Sequence, residues 1–123
     1  MRVARNVRLG VTLSAIACLS GTARAEPLHH WSGARIRAQF TGKMLTDGTH
    51  WRETYQPRGK LLIEEMGHEA ATGSWHIDGD RLCKLRPGIL NDRYEVWGAQ
   101  YRVELRFGSY PPLEAFLHAP GSK

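Results

Sequence analysis

Arg93-Tyr94-Glu95-Val96-Trp97-Gly98-Ala99-Gln100-Tyr101-Arg102-Val103-Glu104-Leu105-Arg106-Phe107 is the stretch that decides the fold. Tyr101, Val103, Leu105 and Phe107 alternate with Arg102, Glu104 and Arg106, the period-two signature of a strand with one buried face. The preceding run, Arg93 to Trp97, joins it through Gly98-Ala99, where glycine suits the first central position of a type II′ turn. Pairing outward from that turn sets Val96 opposite Tyr101 and Tyr94 opposite Val103 on one face. Glu95 then meets Arg102, and Arg93 meets Glu104, on the other. Apolar partners and opposite charges both match, each pair worth a few tenths to about 1 kcal/mol. A one-residue slip destroys both sets. The chain is expected to be built from such hairpins.

Two further units lie upstream. Ser74-Trp75-His76-Ile77 runs into Asp78-Gly79, a type I′ turn signal, and returns as Asp80-Arg81-Leu82-Cys83. A two-residue loop there sets Trp75 opposite Leu82, His76 opposite Arg81 and Ser74 opposite Cys83; a three-residue loop faces Trp75 with Cys83 instead. His50 to Gln56 and Lys60 to Met66 flank Pro57-Arg58-Gly59, and a three-residue loop pairs Tyr55 with Leu61 and Arg52 with Glu64. At the start, Ser32 is placed to cap a helix over Gly33 to Phe40, with Ile36 and Phe40 four apart and Gly42 as a stop. Lys43 to Thr46 reads as a strand before the Asp47-Gly48 turn. Leu113 to His118 reads as a last edge strand or a single helical turn. The expected fold is mainly β, an antiparallel meander of six to seven strands, curled or barrel-like, with one short N-terminal helix.

The first 25 residues read as an export signal rather than as fold. Arg2, Arg5 and Arg8 precede the apolar run Leu9 to Ser20, and Ala23-Arg24-Ala25 offers small residues where a signal peptidase cuts. The run falls short of the roughly 20 apolar residues a membrane span requires. The alternative box, Ala15-Ile16-Ala17 before Cys18, matches a lipoprotein signal less well. The expected organisation is a cleaved signal over 1–25 and one domain over 26–123, periplasmic or secreted. Cleavage also changes the charge. The full chain carries 17 Lys and Arg against 12 Asp and Glu, but four of the arginines leave with the signal and no acid does, so the domain is left at +1. Its basic residues are scattered among acids and form no phosphate-binding stripe, which argues against a nucleic-acid partner. Cys83 is the only cysteine after cleavage, so no internal disulfide is expected.

The succession Ser32-Gly33-Ala34-Arg35-Ile36, Phe40-Thr41-Gly42-Lys43, Tyr55 with Pro57-Arg58-Gly59, Gly73 to Cys83, and Tyr94-Glu95-Val96 resembles a family of small exported bacterial domains of unknown function. Its most specific piece is the G-x-W of Gly73 to Trp75 followed by the G-D-x-L-C of Gly79 to Cys83. The resemblance implies export and a β-rich fold, and it brings no reaction or catalytic residue. Such domains tend to carry an acid where Arg58 stands and a second cysteine where Arg93 stands. If Cys83 pairs with that cysteine in the family, the bridge is lost here.

Among the residues that carry chemistry, none forms a recognisable centre. His29-His30 point apart in an extended chain, and His50, His68 and His76 lack the spacing of a zinc site. Asp78 and Asp80 lack the later ligands of a calcium loop and read as turn residues. Cys83 with His76 is the sharpest enzymatic option, but no third orienting group or oxyanion site accompanies it. Glu64, Glu65 and Glu69 read as a solvated rim. No catalytic residue, metal or cofactor is therefore expected, and the enzymatic alternative is a small thiol or histidine hydrolase. Binding suits the architecture better, because a curved sheet offers a concave face or a barrel mouth. Trp97 lies on the charged face with Arg93 and Arg102, where an exposed tryptophan resembles a protein-contact hot spot; Trp51 is the second aromatic candidate. The expected function is a non-catalytic binding or interaction module taking another periplasmic protein or a small apolar ligand, with a purely structural envelope component as a further alternative.

Overall fold

A computed structural model describes Gly10 and residues 26–121, with the backbone alone at 89–91. The expected signal over 1–25 (Gly10 apart), its cleavage after Ala25 and the Cys18 alternative fall outside the described residues. The elements in chain order are β1 (His29–His30), α1 (Gly33–Phe40), β2 (Lys43–Thr46), β3 (Trp51–Tyr55), β4 (Lys60–Glu65), β5 (Ala71–Asp78), β6 (Arg81–Arg86), β7 (Ile89–Ala99), β8 (Arg102–Arg106) and β9 (Leu113–His118). From β2 to β9 each strand pairs antiparallel with the next, and β9 pairs back onto β2. The sheet is thus a closed barrel of eight strands, mainly β with one helix, and closure removes the edges that invite aggregation. β1 is a two-residue addition to the free edge of β7, with His30 opposite Trp97. The count exceeds six or seven because Leu113–His118 is a full strand, paired on both sides.

Eight strands enclose a space just wide enough for side chains to fill. α1 closes one end of it. Ser32 caps the helix, its Oγ accepting from the Arg35 N–H at 3.2 Å, and Ile36 and Phe40 turn inward and are buried. An edge-to-face chain of rings then runs across the floor: Trp31 to Phe40 at 6.4 Å, Phe40 to Tyr55 at 4.9 Å, Tyr55 to Trp75 at 5.5 Å. Each such pair adds about 0.5–1.5 kcal/mol beyond its buried area. The helix start is tied to the β5–β6 turn, where the Gly33 N–H donates to Asp80 Oδ1 at 2.7 Å.

The three hairpins test the expected registers. The first is as expected, with Tyr55 opposite Leu61 and Arg52 opposite Glu64 around Pro57–Gly59. In the second the loop is Gly79-Asp80, one residue later than Asp78-Gly79, so His76 meets Cys83 and Trp75 meets Lys84. Asp80 is held at this place by its bond to Gly33, and Gly79 takes the left-handed position at φ +59. In the third the loop is Gln100-Tyr101, and Val96 meets Leu105, Trp97 meets Glu104 and Glu95 meets Arg106. Gly98 is a strand residue there. A β-carbon on it would lie 2.2 Å from the Trp31 ring, so glycine serves a close approach rather than a turn. Every displacement is by an even number of pairs, so the faces survive: Val96, Val103 and Leu105 are buried. Tyr101 and Phe107 are the exceptions, the first lifted into the turn and 56% exposed, the second past the end of β8 and 41% exposed.

Candidate functional site

The barrel is apolar toward α1 and charged toward the opposite end. Strand periodicity sets this up. On β3, Tyr55, Glu53 and Trp51 face inward in succession away from the helix; on β6, Leu82, Lys84 and Arg86 do the same. Glu53 and Lys84 are each 1% exposed. The Glu53 carboxylate accepts from Tyr55 Oη at 2.6 Å, from Lys84 Nζ at 3.1 Å through both oxygens, and from Arg86 Nη2 at 2.5 Å. Arg86 reaches outward with Nη1 to Glu65 Oε1 at 3.3 Å, while its Nε is buried with no partner among the described residues. Lys84 Nζ also lies 4.8 Å from the Tyr94 ring centre, and Tyr94 donates to Asp92 Oδ2 at 3.1 Å. Carboxylates and cations alternate from the rim inward: Glu65, Arg86, Glu53, Lys84.

The environment shifts several of these groups. Burial pulls the Lys84 ammonium below its ordinary value, against the opposing pull of Glu53. Burial and the neighbouring Glu53 push Tyr55 well above its usual range, and burial with Asp92 pushes Tyr94 up to about 12. Both phenols ionise later in the fold than in the unfolded chain. The stability they supply is therefore complete below pH 10 and is lost as pH climbs from 10 toward 12. Lys84 acts in the opposite sense below pH 10.5, where the unfolded chain holds more protons than the fold. In an alkaline titration, tyrosinate absorbance from Tyr55 and Tyr94 is expected to appear together with loss of the β circular-dichroism signal; ionisation of both before unfolding would contradict the burial.

At this end the β2–β3, β4–β5, β6–β7 and β8–β9 connections form a rim. The β4–β5 side opens a pocket of about 220 Å³ with Ile63, Ala71 and Pro87 as apolar walls, Arg86 at its inner side, and Glu65, His68 and Glu69 around it. Beside it, a cleft of about 410 Å³ is lined by Trp51, Met66, His50 and Arg52. The 47–50 loop that borders the cleft is held by Asp47, whose Oδ1 accepts from the backbone N–H groups of Thr49, His50 and Trp51 at 2.9, 2.7 and 3.2 Å. Desolvation works against the ionised form, but these donors and the His50 ring outweigh it and hold the Asp47 carboxyl well below the usual range. The Met66 N–H donating to the His50 carbonyl at 2.8 Å ties the two loops together.

The expected binding residues separate into two places. Trp97, Arg93 and Arg102 are on the outer face, as the hairpin alternation implies, but the Trp97 ring is half-buried. His30 stacks on it at 5.2 Å, and the Arg106 guanidinium lies 4.1 Å from its centre. Arg93 pairs with Asp78 at 3.3 Å, and Arg102 Nη2 donates to the Glu26 carbonyl at 2.5 Å. Trp51 stands on β3, half-way round the barrel from β7, so it forms no common surface with Trp97. His50 is engaged with Asp47, His68 is at the rim, and His76 is on the outer face of β5. Glu64 faces outward to Arg52, and Glu65 turns to Arg86.

Cys83 lies on the outer face, yet it is buried, with His76 opposite on one side and Arg93 on the other. Burial pushes its thiol above the ordinary value, with Arg93 pulling the other way, which is the reverse of what a nucleophilic thiolate needs. The Arg93 position is directly opposite, and antiparallel partners lie about 4.5–5.5 Å apart at Cα, inside the range a disulfide spans. Arg93→Cys is therefore expected to form a bridge to Cys83 on oxidation and to raise stability by about 2–3 kcal/mol. Thiol titration and urea unfolding with and without reductant check it.

Glu53, Lys84, Arg86 and Asp92 are the residues the sequence reading missed. Their signal was phase: Glu53 is two residues from Tyr55, and Lys84 two from Leu82, each on the buried side. Comparison with family models, with curated proteins and with solved structures finds no match.

Proposed function

We propose that the chain is an exported, non-catalytic binding module that holds a small ligand at the open end of its barrel. The leader and the resemblance to small exported domains support the export half of this reading. The observation that carries the binding half is the buried group of Glu53, Lys84 and Arg86 beneath the rim. Charges removed from water lose solvation that their mutual attraction barely returns, and apolar replacements of similar volume are often neutral or stabilising. Stability alone gives no reason to keep two cations and a carboxylate in half of a barrel whose other half is packed with Trp, Phe, Ile and Leu. A polar floor under a rim pocket does serve a ligand, by fixing its orientation with a few placed groups in an otherwise apolar recess.

Native mass spectrometry of the protein from its producing cell, followed by denaturation, is expected to release a small molecule. Amide chemical-shift changes on adding it back are expected at the 47–50, 66–70 and 87–88 connections and not around α1. Retention of a macromolecule on the Trp97 face, with an unperturbed open end, would refute the reading.

A further inference from the structure

We infer that a second site lies at the closed end of the barrel, where Arg37 and Arg58 together clamp a phosphate monoester. A cleft of about 430 Å³ opens between the end of α1 and the β3–β4 turn, lined by Arg37, Thr41, Pro57, Arg58, Trp75 and His76. Two guanidinium groups and an imidazole border it, and no carboxylate does. Neither arginine finds an acid elsewhere. All twelve Asp and Glu side chains of the chain belong to the described residues, and none of them pairs with Arg37 or Arg58. The other arginines of residues 26–121 are engaged or faced by an acid. Arg35 lies over Trp31, Arg102 donates to the Glu26 carbonyl, and Arg52, Arg86, Arg93 and Arg106 pair with carboxylates. Arg81 stands opposite Glu95.

The backbone supplies an independent observation. Arg58 is held at φ +72, in the left-handed region, directly before Gly59 at φ +86. Glycine takes that conformation freely, whereas a β-carbon resists it. Gln100 is the other non-glycine residue so placed among the described residues. The turn therefore carries an uncompensated guanidinium at a position where its own geometry favours glycine, and strain of this kind collects at ligand sites. Arg37 is fixed from the helix side, its carbonyl accepting from the Thr41 N–H at 3.2 Å and from Thr41 Oγ1 at 2.6 Å.

The two forks select the ligand. Each guanidinium is planar and takes two oxygens at once. A carboxylate has only two oxygens, and a phosphodiester only two that are free and one charge. A monoester offers three, with about 1.5 to 2 negative charges at neutral pH, which matches two forks and two unpaired cations. The cleft is roomier than a phosphoryl group, so the remainder of the ester lies along Pro57 and the edge of Trp75. The indole N–H of Trp75 is already given to the Gln56 carbonyl at 2.9 Å, which leaves that wall apolar. A small phosphate ester and a lipid headgroup ending in a monoester share this chemistry. The site is remote from the rim and stands or falls apart from the ligand proposed there.

The test titrates the purified protein with phenyl phosphate and with benzoate and follows the amide resonances. Saturable movement at 37–42, 57–60 and 75–76 is expected with phenyl phosphate, with benzoate weaker and the 47–50 loop still. Arg37→Gln and Arg58→Gln are each expected to weaken phenyl phosphate about three- to tenfold. Arg58→Gly removes the guanidinium and the strain together, so it is expected to lose the same affinity while unfolding in urea no earlier than the parent. Cosedimentation then separates the sources. Binding to phosphatidylcholine vesicles that contain phosphatidic acid, but not to those that contain phosphatidylglycerol, assigns a lipid headgroup. Phenyl phosphate binding with no vesicle binding assigns a small ester. Equal binding to both anionic vesicles, benzoate as tight as phenyl phosphate, or an Arg58→Gly variant that binds like the parent overturns the inference. So does stillness at 57–60 with every phosphate probe.

Discussion

Glu53→Ala is expected to lose about 3–5 kcal/mol, the cost of breaking a buried ion pair from one side. In a domain whose total stability is about 5–15 kcal/mol, that is enough to unfold much of the population near body temperature. The loss is not that of one contact. Without the carboxylate, Lys84 is a buried ammonium, Arg86 loses the partner of its inner arm and Tyr55 its acceptor, with Lys84 and Tyr55 fully buried. Glu53→Leu with Lys84→Met is expected to recover part of the loss, the share of the stranded ammonium, while Arg86 and Tyr55 stay without their acceptor. Glu53 stands between Leu45 and Ile63 across the sheet, and Lys84 between Trp75 and Asp92, so the leucine meets apolar neighbours on both sides and the methionine on one. Urea unfolding of the two single variants and the double gives the coupling directly. Singles that cost under about 1 kcal/mol would mean that water reaches the group. Should the double variant fold while binding nothing at the rim, the charges are there for the ligand.

What the sequence made legible was parity, and what it hid was register and company. The alternation in Arg102 to Arg106 and in Ser74 to Ile77 assigned inward and outward faces that hold in the barrel, because side chains in a strand have period two whatever the turn, while Tyr101 and Phe107 fall outside the strand and are exposed. Where the turns fall depends on contacts from far along the chain. Asp80 is drawn to the start of α1, and Gly98 is claimed by Trp31, so both glycine signals were read one or two residues out of place. The Pro57–Gly59 turn also meets a distant residue, the Trp75 indole N–H donating to the Gln56 carbonyl at 2.9 Å, but this contact leaves the loop where its proline and glycine place it, and the register was read without error. The candidate site was less legible for a related reason. Charged residues on a strand are by default assigned to water, and nothing within β3 or β6 alone says that Glu53 and Lys84 will find each other across β4 and β5. The phase of each charge with the apolar face was the available clue; closure of the barrel turned it into a contact.

Gly98→Ala offers the sharpest separation of those two readings of glycine, with an expected loss of about 2–3 kcal/mol from overpacking. Gly98 is not among the residues with positive φ, so alanine there meets no backbone strain. The obstacle is the Trp31 indole, whose Cζ2 and Cε2 would sit 2.2 and 2.4 Å from the new carbon. Trp31 has little freedom to retreat. Its backbone N–H donates to the Val96 carbonyl at 2.8 Å, the Arg35 guanidinium lies 5.0 Å from its ring, and Phe40 packs on it edge-to-face. Trp31→Ala alone is expected to cost about 3–5 kcal/mol by emptying the floor of the barrel. In that background the cavity receives the methyl group, and Gly98→Ala is expected to be neutral or slightly stabilising. The double variant should then fall short of the sum of the singles by about 2–3 kcal/mol. If the two losses instead add, the glycine is required by the backbone and the close approach of Trp31 is incidental. A cycle measured by urea unfolding, with tryptophan fluorescence replaced by circular dichroism because Trp31 itself is removed, distinguishes the two.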